Sequence, residues 1–456
     1  MRLVSTTNHK RFLLSLAIVA TSVLAIAQDN SPYSRYGLGD FLPSQHLIAR
    51  GMGGAAVAYV DAQSINMINP ATYADLRIVT FDFAATIDNR TLKSLLPENK
   101  FKTGNFRPAY VAVGIPLSLV FDKKKWLKNT GLAFGLRPLS NISYGIFESK
   151  RITGIDSATT FYEGNGGLNQ AFVGMGKKWY GKKTNLSVGF NTGYTFGRKE
   201  TSTKVNLEND TVLYYKANTS TRTSFGNFFL SGGIQVETEI GKNDVLRFGL
   251  SGSLKTTLNG RQDLIRETYG FDPNSGNVVT IDSVYTERNR RGNIELPATY
   301  TAGVMYHKTV DDRFNNKLDK FMITAEYEST QWSNYRFYNQ TDKVTNSWTA
   351  RFGAQLTIDP TDPRGYWNKV AFRTGVAFGK DYINADGNEL KTFSVTLGAG
   401  LPVKKFRSYD NQFTTINTSV EFGKRGSGAN NITENYFRLN FGFSLSDVWF
   451  IKRKYD

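Results

Sequence analysis

Apolar and polar positions alternate with a period of two along most of the chain. In LSVGFNTGYTF, residues 186–196, Leu186, Val188, Phe190, Tyr194 and Phe196 share one parity, while Ser187, Gly189, Asn191, Gly193 and Thr195 take the other. Residues 245–256 set Leu246, Phe248, Leu250 and Leu254 against Arg247, Ser251, Ser253 and Lys255. Residues 348–358 oppose Trp348, Phe352, Leu356 and Ile358 to Thr349, Arg351, Gln355 and Thr357, and residues 435–445 oppose Phe437, Leu439, Phe441, Phe443 and Leu445 to Arg438, Asn440 and Ser444. Such alternation predicts β-strands with one apolar face. A soluble sandwich gives the same pattern, but its strands typically hold about 5–6 residues. These segments run to about 10 or more, the span of a tilted strand crossing a bilayer. The apolar parity is therefore assigned to lipid, and the small and polar parity to an interior.

Segments of this kind occupy 78–87, 107–120, 131–147, 169–180, 186–197, 225–238, 245–256, 297–306, 320–329, 347–358, 369–379, 390–401, 412–423 and 434–446. There are about fourteen, an even number as expected of a single-chain bacterial barrel. Short connections, such as 181–185 and 241–243, alternate with long ones at 88–106, 148–168, 198–224, 257–296 and 330–346, matching short periplasmic turns and long outer loops. The expected fold is all-β: a transmembrane antiparallel β-barrel of about 14 strands. Closure also removes the edge strands that so large a sheet would otherwise expose.

The N-terminus sharpens the compartment. Arg2, His9, Lys10 and Arg11 precede the apolar run FLLSLAIVATSVLA and then Ala25-Ile26-Ala27, the order of a secretory signal with a small-x-small cleavage site. The run is shorter than the roughly 20 residues of a spanning helix, so the mature chain is expected to begin near Gln28. The expected layout is a signal peptide at 1–27, an N-terminal plug at 28–77 and an outer-membrane barrel at 78–456. The expected location is the outer membrane of a Gram-negative bacterium.

Composition narrows the chemistry. Cysteine is absent, so disulfides and thiolate chemistry are unavailable. Once the signal is removed, His46 and His307 remain, far apart and without zinc-site spacing, and they read as ordinary polar residues. The formal charge is +17; loss of Arg2, Lys10 and Arg11, with no acidic residue among 1–27, leaves +14. In an exported chain with dispersed charges, this favours outer-membrane lipid headgroups or an anionic ligand, and nucleic acid is not expected as a partner. Asp386-Gly387-Asn388 lacks the spacing of a calcium loop and reads as a tight turn. No G-x-S-x-G elbow, H-E-x-x-H pair or paired-carboxylate motif occurs. No catalytic residue, metal or cofactor is therefore expected.

The least polar part of the residues before the first strand is RGMGGAAVAYVDAQSINMINPATYADL, 50–76. It is too glycine-rich for a good helix and would be an apolar, strandless loop in water, but inside a barrel it could bury itself. Gly51, Gly53 and Gly54 allow close backbone approach, and Asn69-Pro70 sets a turn. A phosphate-binding loop lacks its preceding strand and spacing here. The series Arg50-Gly51-Met52-Gly53-Gly54-Ala55, Asp61-Ala62, Asn69-Pro70-Ala71 and Leu76 resembles the N-terminal hatch signature of the FadL-type long-chain fatty-acid transporter family. The resemblance implies a fourteen-stranded barrel plugged by this hatch, with third and fourth outer loops, here 198–224 and 257–296, forming a substrate entry groove. Those two segments are more polar and charged than such a groove would be, and WFIKRKYD extends past the last alternation.

On the assigned parity Arg137, Arg247, Arg351, Arg373 and Arg438 face the lumen with Asp82, Glu326, Glu328 and Glu421. One reading is an ion-pair network holding plug and wall together. The other is that some of these arginines bind a substrate carboxylate. Two functions follow: passive uptake of a hydrophobic or amphipathic, fatty-acid-like molecule past the hatch, or service as an accessory or shuttle subunit of an outer-membrane secretion or assembly complex. Protein subunits would be the partners in the second, with Lys123-Lys124-Lys125-Trp126 and Lys452-Arg453-Lys454 as basic docking elements.

Overall fold

A computed structural model of the chain describes residues 31–447 apart from 96–97, 121–124, 154, 210–211, 213, 273–277, 313–316, 363, 386 and 404–412. The expected export signal, most of Lys123-Lys124-Lys125, Asp386 and the basic tail lie outside the described residues.

A short β1 (Asp40–Phe41) precedes the wall, which runs β2 (Val79–Leu95), β3 (Glu98–Pro116), β4 (Thr130–Ile152), β5 (Ile155–Tyr180), β6 (Thr184–Glu208), β7 (Lys216–Glu239), β8 (Asp244–Ser253), β9 (Thr256–Phe271), β10 (Val278–Leu296), β11 (Thr299–Asp311) and β12 (Lys317–Thr330). After a two-residue β13 (Arg336–Phe337) come β14 (Ser347–Thr357), β15 (Ala371–Lys380), β16 (Lys391–Val403), β17 (Phe413–Arg425) and β18 (Ile432–Asp447). β8 and β9 both lie along β7 and form one stave interrupted near Leu254. β10 and β11 form the next, alongside β9 and β8. With those two pairs merged, fourteen antiparallel staves stand in sequence order, and β18 closes on β2 from Ile432↔Ser94 to Asp447↔Val79. No helix among the described residues is long and apolar enough to cross a membrane; the crossing is made by strands.

Each predicted strand has its stave. Leu186, Val188, Phe190, Tyr194 and Phe196 are exposed on the outside, as are Phe248, Leu250, Phe352 and Leu356, while Ser187, Asn191, Thr195, Arg247, Arg351 and Gln355 are buried. Burial of the polar parity and exposure of the apolar one is the inverse of a soluble sheet, and it is the pattern of a wall facing lipid.

The connections differ from expectation. Most of 88–106, 148–168, 198–224 and 257–296, expected as loops, is strand: β2 and β3 continue to Leu95 and Glu98, β6 and β7 to Glu208 and Lys216, and β9 and β10 to Phe271 and Val278. The ladders persist where both faces meet water. The two-residue alternation records a lipid-facing side, not strand pairing itself, so it fades where the hairpins leave the bilayer.

The wall has one thin seam. The β3–β4 ladder covers only Val111↔Leu136 to Pro116↔Gly131. Further out, β4 pairs with β1 through Asp40↔Asn141 and Phe41↔Ser140.

Candidate functional site

Residues 31–78 lie against the polar inner parity of the wall, and nearly all of 45–59 and 64–76 are buried. A four-residue helix α1 (Leu47–Arg50) ends at Gly51. Gly53 and Gly54 follow with φ of 68° and 86°, left-handed values that a side chain with a Cβ tolerates poorly. Further on, Asn69 caps a 3-10 helix, Pro70–Asp75, its side chain accepting from the Ala71 amide at 3.1 Å, with Pro70 at the first position. Proline suits that position because its absent N–H has no partner there anyway.

The wall meets this segment with glycines. Gly131, Gly176, Gly189 and Gly233 sit side by side on consecutive strands β4 to β7. Gly249 pairs with Gly303, and Gly353 with Gly375. A Cβ placed on Gly131 would strike Tyr73 backbone, on Gly176 or Gly189 that of Pro70, on Gly249 that of Val57, on Gly353 that of Met52, and on Gly375 that of Gly53. The interior parity is thus cut away in a belt, and the N-terminal segment presses its main chain into it. Of the residues expected there, Gly51 meets Gly398 and Arg373, Gly53 meets β14 and β15, and Asn69, Pro70 and Ala71 meet β5 to β7.

Main-chain groups so buried need partners, and the wall supplies them. Glu326 Oε2 accepts from the Ala56 and Val57 amides, both at 2.7 Å, while its Oε1 is 2.9 Å from Arg351 Nη1. The Gly53 amide donates to Thr396 Oγ1 at 2.8 Å, and that hydroxyl donates to Gly51 O at 3.1 Å. Gln235 donates to Ala58 O at 3.0 Å, Asn69 Nδ2 to Val57 O at 2.7 Å, and the Leu47 amide to the Tyr110 hydroxyl at 3.0 Å. Arg50 donates to Gln45 O, Pro43 O, Thr86 and Asn440. Burial pushes its guanidinium down to about 10. Asp61 turns back on its own segment, accepting from the Gln63 amide at 2.8 Å and the Tyr59 hydroxyl at 3.1 Å; burial raises its carboxyl.

The five anticipated arginines fall on two levels. Arg137, Arg351 and Arg438 line a luminal cavity of about 470 Å³, together with Arg50, Arg90 and Arg425. Arg247 and Arg373 do not line it. Arg247 pairs with Glu237 at 2.7 Å and sits 3.0 Å from His307 Nδ1, whose other nitrogen is 2.8 Å from Asp319. Arg373 donates to Gln355 and Asn417, and Arg137 donates to Gln170 and Ser44 O.

Toward the outer mouth, a second ion-pair group fastens the start of the segment. Asp40 lies 2.9 Å from Arg90 and 2.8 Å from Arg425; Arg425 also meets Asp381 and Glu434, and Asp88 gathers Arg90, Arg107 and Arg438. Burial opposes the Asp40 charge, but Arg425 and Arg90 outweigh it and hold the carboxyl down at about 2. Above this group, Tyr33 and Leu38 pack with Trp332, Tyr335 and Tyr382. Asp40, Asp88, Arg90, Arg425 and Glu434 were not anticipated. Asp88 and Arg90 continue the inward parity of Asp82 past the end of the expected strand, and extending that parity would have found them. His46 was read as an ordinary polar residue, yet it is fully buried against Tyr59, with neither ring nitrogen hydrogen-bonded among the described residues. Burial, with Arg373 and Arg50, pushes it down to about 3.

Solved structures similar in fold include a Pseudomonas aeruginosa FadL homologue (12% identity, 89% of this chain and 98% of that chain, TM-score 0.51) and the Pseudomonas putida toluene transporter TodX (16% identity, 88% and 97%, TM-score 0.51). At these identities the likeness is one of fold. No curated protein matches the chain. The model of the family described as BamG matches residues 9–456.

Proposed function

The chain belongs to the BamG family, and on that premise we propose that it is a plugged barrel of a Gram-negative outer membrane, serving as an accessory subunit of an outer-membrane assembly complex. In this reading residues 1–27 are the export signal, 28–77 the plug and 78–456 the barrel. The observation that carries it is the glycine belt. Moving the plug aside would separate main chain from main chain on half of the staves, while also releasing the Ala56, Val57 and Gly53 amides from Glu326 and Thr396. Each buried donor left unpaired costs about 1–3 kcal/mol, so the interior is built to stay shut. Mild-detergent purification from native membranes is the test. Partner proteins in fixed stoichiometry are expected, and a lone barrel would overturn the proposal.

A second reading, a FadL-type channel for hydrophobic small molecules, is favoured by the luminal cavity, by the short β3–β4 seam beside a second cavity of about 1060 Å³, and by what the neighbours' descriptions say they carry. Arg50 and Arg373, buried, and Arg137, half-buried, none with a carboxylate in ion-pair range among the described residues, would then receive an anionic headgroup. Uptake of labelled toluene and of a labelled fatty acid by cells with and without the protein tests it. Equal uptake removes this reading.

A further inference from the structure

The projecting part of the wall ends on an open strand. Outside the bilayer the sheet β4–β5–β6–β7–β9–β10 stops at β10, whose second edge pairs with β13 only at Ile294 and Glu295. Just above, the Tyr338 amide donates to Asn293 O and its hydroxyl to Arg290 O at 3.2 Å. From Val279 to Asn289 β10 pairs with β9 alone among the described residues. Apart from the Asn289 amide, which donates to Asp263 Oδ1 at 2.7 Å, this open edge of about ten residues offers a row of main-chain donors and acceptors to a further strand.

Two features distinguish this edge from one that is merely blunted. First, its irregularities bring apolar side chains out. The register against β9 skips Ile281 and Val284, and bulged residues of this kind re-aim their side chains. Ile281 is 52% exposed and Val284 70%, with Val279 and Tyr285 exposed beside them. Second, its inner end carries an excess of positive charge. Residues 287–291 carry Arg288, Arg290 and Arg291 against Glu287. Arg290 comes no nearer Glu287 than 4.0 Å, and Arg288 and Arg291, both exposed, have no ion pair among the described residues. An apolar half followed by a basic half along a free strand is complementary to one kind of occupant.

We infer that the β10 edge, 279–289, is a docking edge for an extended segment of a partner protein at the cell surface, one that adds a strand there with apolar side chains against Ile281 and Val284 and carboxylates against Arg288, Arg290 and Arg291. Added strands gain affinity from main-chain bonds and specificity from side chains on alternate positions. A second copy in the same membrane fits poorly. Its β10 would run in the same direction, so its Arg288, Arg290 and Arg291 would face their like, not a carboxylate.

This deepens the assembly-subunit reading, on which it rests, and one experiment separates their failures. A photo-crosslinking amino acid is placed at Val284 and, as a control, at Phe147, in the full-length protein expressed in its native membranes. The expected result is one discrete protein adduct from position 284 alone, mapping by mass spectrometry to an extended segment with acidic residues. That adduct is expected to fall at least tenfold in the triple variant Arg288→Glu, Arg290→Glu, Arg291→Glu and in Thr286→Pro, with both variants still showing the heat-modifiable gel mobility of a folded barrel. An adduct with a second copy, an adduct with lipopolysaccharide, no adduct, or one indifferent to charge reversal would each overturn the proposal. Stoichiometric partners that co-purify equally with wild type and the triple variant would leave complex membership standing and remove the edge.

Discussion

The glycine belt and the projecting hairpins are made by the same strands, yet they are held by opposite means. At the belt, β14 and β15 hold 11 and 10 residues, and their inward glycines admit the main chain of the N-terminal segment. On the opposite side β5, β6 and β7 run to 26, 25 and 24 residues, about 50 Å of strand beyond a bilayer span of about 10 residues at ~3.3 Å per residue. There both faces are solvated and little is buried. Backbone pairing alone therefore does not make a region rigid or specific. The belt gains its fixity from exclusion of volume and water, whereas the hairpins keep polar surface, and one open edge, available for contact.

That contrast can be broken at the belt. Glu326→Ala should have the largest effect, because it strands the Ala56 and Val57 amides and leaves Arg351 without its nearest carboxylate. A loss of about 3–5 kcal/mol is expected for removing one partner of a buried pair, read as a lower thermal midpoint in detergent by circular dichroism. Gly375→Val should follow, at about 1–3 kcal/mol or more for overpacking, since its Cβ would strike Gly53 main chain. Gly145→Val, where a Cβ meets nothing within 4 Å, should leave the same melt unchanged.

His46 sharpens the comparison by pH. Its folded-state proton affinity is pushed down to about 3 from the ordinary 6.5, so the unfolded chain takes the proton first. This contribution is complete above about pH 6.5 and is lost as pH falls toward 3, by up to about 1.4 kcal/mol per pH unit. His46→Phe should cost under about 1.5 kcal/mol at neutral pH and flatten that acid limb in a pH series of melts. The smallest effect is expected at the hairpins. Val284→Ser, at an exposed site, should change stability by no more than about 0.5 kcal/mol.

How much was legible follows the same division. The lipid-crossing segments, such as 186–197 and 348–358, announced themselves because one face touches hydrocarbon. Segments 198–224 and 257–296 did not, because Thr, Asn, Lys and Glu on both faces of a solvated strand look like loop. The N-terminal segment was legible as something to be buried, through Gly51, Gly53, Gly54 and Asn69-Pro70, but its partners were not. Nothing local to Gly131 or Gly176 says that Tyr73 or Pro70 will lie against it.

The sequence by itself determined a fourteen-stave wall, its inside and outside, and an N-terminal stretch that could not remain in water. All of these rest on local alternation and composition. Only the tertiary structure decided which wall glycine receives which carbonyl of the N-terminal segment, that Glu326 serves two amides at once, that Arg137 and Arg247 stand on different levels, and that β10 ends the projecting sheet with one side open. Those outcomes depend on which distant segments meet when the barrel closes, and closure brings together residues hundreds of positions apart, such as Asp40 and Arg425.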